Sequence, residues 1–198
     1  MAQPKASTPD AVLKAAAEVF RKHGYQKATI DDIAREAGIS KPTVYRYAKS
    51  KQWLLEKIVK TVQDEMVQRL DAAWDEGLPA AERLRGLVAV NVEVSIHFRT
   101  FYNVSLGEQH DMSKRAAQQY RAWAHGINER TEQILRACVE EGSLELDGDL
   151  TVYTNLFQSM LFSLFRWYDE SGPVDRDLLV DHIMGLVGCR GSATRQPA

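Results

Sequence analysis

Residues 29–51, TIDDIAREAGISKPTVYRYAKSK, read as two short helices joined by a tight turn, and the interpretation of the whole chain rests on them. Thr29 is placed to N-cap the first helix, Asp32 three residues on completes a capping box, and Ile30, Ile33, Ala34 and Ala37 repeat along one apolar face. Gly38 ends that helix. Ser40 offers a second N-cap after a turn of about three residues, the connection length of a helix-turn-helix. The second helix, residues 41–47, carries Lys41, Thr43, Tyr45, Arg46 and Tyr47, with Val44 to dock it inward. A helix that enters a DNA groove needs such a surface, with donors for base edges and hydroxyls or cations for phosphates. The same heptapeptide would also suit a solvated surface helix, so its surroundings must decide.

Upstream, Thr8, Pro9 and Asp10 form a helix start, and Leu13, Ala16, Ala17 and Phe20 recur at helical spacing until Gly24. This helix is expected to brace the pair. Downstream, Ser50 N-caps a fourth helix with Leu54, Ile58, Val62, Met66, Leu70 and Trp74 every four residues, broadened by Leu55 and Val59. Its length of about 25 residues makes a rod of roughly 37 Å. Gly77 and Pro79 interrupt it. Further helices are expected over about 81–102, 114–141, 149–168 and 175–187, with residues 103–113, NVSLGEQHDMS, as a polar break. There is no strand alternation and no internal repeat, so the expected fold is all-α.

The N-terminal pattern resembles the tetracycline-repressor (TetR) family of bacterial transcriptional regulators. The resemblance is carried by Phe20, Gly24, Thr29, Ile30, Ile33, Ala34, Ala37, Gly38, Ile39, Ser40, Thr43, Tyr45, Tyr47, Ser50 and Lys51, within residues 9–60. One position departs from it: Ala48 stands where the family usually carries Phe. The resemblance implies a three-helix DNA-binding domain over residues 1–52, a helical ligand-binding and dimerisation domain over 53–190, and a flexible tail over 191–198. It implies DNA contacts from Thr29, Ser40, Lys41, Pro42, Thr43, Tyr45, Arg46, Tyr47 and Lys51. Thr43, Tyr45 and Lys41 would approach bases, and Thr29, Tyr47 and Lys51 would hold phosphates.

Charge supports that assignment. The net charge of -2 hides +6 over residues 1–60 and -8 over residues 61–198. Only the first segment attracts a polyanion. At 198 residues and 44% hydrophobic content the chain can bury a substantial core, and no apolar run approaches the roughly 20 residues of a membrane helix. MAQPKASTPD lacks the apolar centre of a signal peptide, which points to the cytoplasm. Cys138 and Cys189 lie far apart without a CxxC partner and read as two free thiols.

Residues 149–168, DLTVYTNLFQSMLFSLFRWY, are apolar on more than one face and require cover on several sides. With the final helix they suit a four-helix dimer interface built from Leu161, Leu164, Phe165, Tyr168, Leu179, Ile183 and Leu186. Burial inside one subunit is the alternative. The TetR resemblance implies that these last two helices do pair across the dimer, and Arg166-Trp167-Tyr168 followed by Gly172-Pro173 resembles members that respond to acyl-CoA thioesters. Aromatic residues concentrate at Phe98, Phe101, Tyr102, Tyr120, Trp123, Tyr153 and Phe157, which with His97, Asn103 and Gln119 as polar anchors would suit an apolar ligand pocket.

No G-x-S-x-G elbow, H-E-x-x-H, P-loop or dinucleotide fingerprint is present, so neither an enzyme nor a cofactor is expected. Glu93, His97, His110 and Asp111 are a loose set for a metal, and surface or pocket polarity accounts for them better. The expected protein is a homodimeric repressor, released from a palindromic operator by a small apolar or acyl-CoA-type effector. The alternative is a helical small-molecule-binding protein or enzyme whose N-terminal unit does not read DNA.

Overall fold

The computed structural model describes residues 8–107 and 109–189, without the side chains of residues 105–109. The tail expected at 191–198 lies outside the described residues. The described residues form nine α-helices and no strand: α1 Pro9–His23, α2 Ile30–Ala37, α3 Lys41–Tyr47, α4 Lys51–Ala72, α5 Ala80–His97, α6 Arg99–Gly107, α7 Lys114–Glu140, α8 Leu150–Trp167 and α9 Arg176–Leu186, with a 3₁₀ turn at Gln109–Asp111. None of these helices is long and apolar enough to cross a membrane.

The chain divides into two compact units, one comprising Met1–Asp64 with Phe98–Arg121 and the other Glu65–His97 with Ala122–Ala198. In the first unit α1 packs on α2, α3 and α6. Its core comes from the apolar face of α1 (Val12, Ala16, Ala17, Val19, Phe20), with Ile33, Val44, Leu54, Leu55 and Ile58. Phe20 meets Tyr25 edge to face at 5.2 Å. Ala48, the departure from the family pattern, is buried and closes α3 with an N–H bond of 2.9 Å to the Val44 carbonyl. In the second unit α8 and α9 both pack on α5. Polar groups inside it bond locally or to one another: Asn91 to the Leu87 carbonyl at 2.9 Å, Thr131 to the Ile127 carbonyl at 2.9 Å, and Gln158 to Thr131 at 2.5 Å.

Two boundaries differ from the sequence reading. The single helix expected over 81–102 is broken at Phe98, and α6 continues to Gly107 through part of the expected polar break. The apolar residues run on across position 98, but Val92 and Val94 are buried in the second unit whereas Phe101, Tyr102 and Val104 are buried in the first. An uninterrupted apolar run cannot reveal that its two halves serve different cores. The fourth helix also stops earlier, at Ala72, so Trp74 lies beyond it. Arg130 supplies the stop, donating to the Leu70 carbonyl at 3.3 Å and to Asp71 at 2.6 Å while its guanidinium lies 4.2 Å from the centre of the Trp74 ring.

Candidate nucleic-acid interface

The helix-turn-helix is built from its caps. The Thr29 hydroxyl accepts the Asp32 N–H at 3.2 Å, and the Asp32 carboxylate accepts the Thr29 N–H at 3.1 Å and its hydroxyl at 2.6 Å. The expected capping box is therefore formed in both directions. The hydrogen bond from the Thr29 side chain, followed by that from Arg35, holds the Asp32 carboxyl below the usual aspartate range. Its contribution is present at neutral pH and is lost only as pH falls through that lowered value. Gly38 takes the left-handed conformation, φ 68°, that ends α2. Ser40 then caps α3 at the Thr43 N–H, 3.3 Å. Thr29→Ala deletes an N-cap and is expected to cost about 1 kcal/mol. The measurement is a lower urea midpoint at unchanged slope; an unaltered midpoint would remove the box from the account.

Val44 is fully buried, and this orients α3 so that Lys41, Pro42, Tyr45 and Arg46 are exposed, with Thr43 and Tyr47 half-buried. Tyr45 retains 52% of its surface. Lys41 pairs with Asp31 at 2.8 Å across the turn, a contact that raises the pKa of its ammonium. The Thr43 and Ser40 hydroxyls share a 2.8 Å bond, and Arg46 lies 5.9 Å from the Tyr47 ring. Of the nine residues expected at DNA, eight therefore lie in or beside the α3 surface and the α2 cap.

Lys51 is placed otherwise. Its ammonium donates to the carbonyls of Tyr25 at 2.7 Å, Ala28 at 3.0 Å and Gln26 at 3.2 Å, and stands 4.3 Å from the centre of the Tyr25 ring. An ammonium has three hydrogens, and all three are used. In the free protein Lys51 thus forms a staple between the start of α4 and the α1–α2 connection. Basic residues that the sequence reading passed over line a groove beside the α2 cap: Lys22, His23 and Lys27, together with Asp32. Lys22 is engaged with Glu36 at 3.1 Å, whereas Lys27 is exposed and has no ion pair among the described residues.

The expected effector set falls into the two units. In the first, Phe98 and Phe101 meet edge to face at 6.0 Å, Tyr102 is buried, Tyr120 is half-buried and Gln119 is exposed. Burial raises the Tyr102 phenol pKa well above its ordinary value. In the second, Trp123 meets Phe162 at 6.4 Å, Phe157 is buried, and the Tyr153 hydroxyl donates to the Val187 carbonyl at 2.9 Å. His97 is exposed there, its Nδ1 3.1 Å from the Glu93 carbonyl, and the Glu93 carboxylate is taken by Arg69 at 2.5 Å. Among the described residues no three His, Cys, Asp or Glu side chains converge as a metal site.

The residues expected at the dimer interface are also redistributed. Leu161, Leu164, Phe165, Tyr168, Leu179 and Ile183 are buried within one chain, and Leu186 alone of the seven is exposed, at 75%. The outward apolar residues of the same two helices are Val152, Leu156, Trp167, Leu178 and Leu186.

Sequence reasoning missed the groups that tie residues 98–113 to α1, the α1–α2 connection and α4. The Thr100 hydroxyl donates to Glu18 at 3.0 Å, Gln26 donates to the Asp111 carboxylate, Gln52 donates to the Asp111 carbonyl at 3.1 Å, and the Ser113 N–H donates to Glu56 at 2.9 Å. These partners stand 57 to 85 residues apart in the chain, and no spacing rule reaches that far.

Comparisons with known proteins agree with this architecture. The family described as bacterial regulatory proteins, tetR family, matches residues 12–58, and the tetracyclin repressor-like C-terminal domain matches residues 77–188. The chain is 25% identical over 191 residues to the HTH-type transcriptional repressor KstR2 of Mycolicibacterium smegmatis, covering 92% of this chain and 89% of that one. Among solved structures, the ketosteroid transcriptional regulator KstR2 of Mycobacterium tuberculosis superposes with a TM-score of 0.82 at 22% identity, over 91% of this chain and 92% of that one. AibR, solved with isovaleryl coenzyme A and operator DNA, superposes with a TM-score of 0.75 at 19% identity, over 90% and 97%. With a capped helix-turn-helix at one end and a C-terminal match that alone spans more than half the chain, this protein belongs to the TetR family of DNA-binding transcriptional regulators.

Proposed function

We propose that the protein is a homodimeric repressor that sets two copies of α3 into successive major grooves of a palindromic operator and is released by a small organic effector. The observation that carries this reading is the α3 surface itself. A short helix pinned by one buried valine turns Lys41, Tyr45 and Arg46 outward. A helical binding protein or enzyme without DNA would have no use for that surface. Thr43, Tyr45 and Lys41 approach base edges, while Thr29 and Tyr47, with Lys27 in place of Lys51, hold phosphates. Two-fold symmetry calls for half-sites separated by about 34–36 Å or a multiple of it.

Selection from genomic fragments at moderate salt, followed by fluorescence anisotropy on the recovered sequence, tests the assignment. Tyr45→Ala should weaken and broaden sequence preference. Lys27→Ala should weaken binding to every sequence and reduce the slope of log K against log salt by about one. Recovery of no preferred sequence, with or without candidate ligands, would sink the reading.

Acyl-CoA thioesters are the first effector class to try, supported by the Arg166-Trp167-Tyr168 resemblance and by the isovaleryl coenzyme A that AibR binds. Flat, steroid-like molecules follow, on the strength of the aromatic residues and the similarity to the ketosteroid regulator KstR2. By linkage, an effector that weakens operator binding is itself bound more weakly in the presence of operator, by the same factor.

A further inference from the structure

The first two turns of α7 carry a feature that neither DNA binding nor the core accounts for. Ser113 caps the helix through the Ala116 N–H at 3.2 Å. Lys114, Ala117, Gln118 and Arg121 follow at i, i+3, i+4 and i+7 and so share one face. Lys114 and Arg121 are two turns apart, about 10 Å at 1.5 Å per residue, and the small Ala117 leaves space between them. His110 and Met112 supply the opposite wall, with Tyr120 alongside, enclosing a groove of about 560 Å³. Among the described residues no carboxylate lines it.

The charges in this groove are available to a ligand. Lys114 and Arg121 are exposed and have no ion pair among the described residues, whereas Arg21, Lys22 and Lys60 of the same unit are paired with Glu18, Glu36 and Asp64. The groove is concave and part apolar, which suits a small anion with an organic body better than a duplex backbone.

We propose that this groove takes the headgroup of an effector bearing two separated phosphate groups, as coenzyme A does with its pyrophosphate and 3′-phosphate. The proposal deepens the thioester reading of the effector and rests on it. Arg121 offers a planar fork to one phosphate, and Lys114 offers a point charge to the other. The location also gives the headgroup a route to the DNA-binding unit. The segment that forms one wall, residues 110–113, is the one whose Asp111 and Ser113 hold Gln26, Gln52 and Glu56. A ligand that draws this wall inward acts directly on those bonds.

Calorimetry on the full-length protein with coenzyme A, dephospho-coenzyme A and inorganic phosphate, at low and moderate salt, tests the site. Coenzyme A should bind, and removal of its 3′-phosphate should cost about tenfold, as should each single Lys114→Ala or Arg121→Ala change. The double variant should melt like the wild type and bind operator equally well without ligand. If a thioester still releases operator from the double variant at wild-type concentration, the effector class stands and the groove is refuted. If the wild type binds coenzyme A no better than inorganic phosphate, the two-phosphate proposal fails. Should no thioester bind or release operator, both readings fall together. Weaker operator binding by the ligand-free double variant would reassign the groove to DNA and overturn the proposal.

Discussion

Lys51→Met is expected to destabilise the helix-turn-helix by about 2–3 kcal/mol, the scale of hydrogen bonds made by a charged donor whose partners are left unsatisfied. Methionine keeps most of the aliphatic stem and removes only the ammonium, so the loss isolates the three bonds to the Tyr25, Gln26 and Ala28 carbonyls and the cation over the Tyr25 ring. Urea unfolding reads the loss as a lower midpoint. Operator affinity should fall as well, because the start of α4 and the α1–α2 connection would no longer be held together. The slope of log K against log salt should stay unchanged, since no phosphate contact is deleted. A slope reduced by about one with wild-type stability would restore Lys51 to the phosphate backbone and remove the staple.

Arginine at two positions of α8, only eight residues apart, is expected to give opposite results. Leu164 is 1% exposed on the helix face buried within the chain. Leu164→Arg places an unpaired charge in that core, at a cost of about 3–5 kcal/mol, and should yield little folded protein. Leu156 is 67% exposed and lies on one face with Val152, Ser159, Ser163 and Trp167. On α9, Leu178 and Leu186 are likewise exposed, with Gly185 beside Leu186. Large apolar residues flanking small ones suit close helix packing across a dimer, and charge is depleted from the centres of such interfaces. Leu156→Arg should therefore leave the circular dichroism spectrum intact and convert dimers to monomers in sedimentation at micromolar concentration, with loss of tight operator binding. A variant that remains dimeric would show that this face is not the interface.

The local elements were legible because their causes are local. A threonine or serine caps an N–H three residues on, a glycine accepts positive φ, and a lone valine among polar residues docks a helix. Thr29, Gly38, Ser40, Val44 and Ser50 could therefore be read as a helix-turn-helix from residues 29–51 alone, and the structure forms each of those caps. Position 98 was not legible in this way. Apolar side chains continue through it, and only the presence of two separate cores breaks the helix there.

The same distinction separates what neighbouring residues decide from what a distant contact decides. The sequence by itself determined an all-helical chain with a basic N-terminal end, a docked and capped recognition helix, and two C-terminal helices too apolar for a single covered face. All of this follows from spacing within a turn or two of one helix. Only the tertiary structure decided that Lys51 faces carbonyls 23 to 26 residues away, that Asp111 and Ser113 reach back to Gln26, Gln52 and Glu56, and that Leu161, Leu164 and Phe165 point inward while Val152, Leu156 and Trp167 remain outside. A helix with apolar residues around most of its circumference has no preferred rotation of its own, and a lysine beside a helix start is equally good for a phosphate or a carbonyl. The neighbour that arrives from elsewhere in the chain makes the choice: α5 packing on α8, and the α1–α2 connection meeting the start of α4.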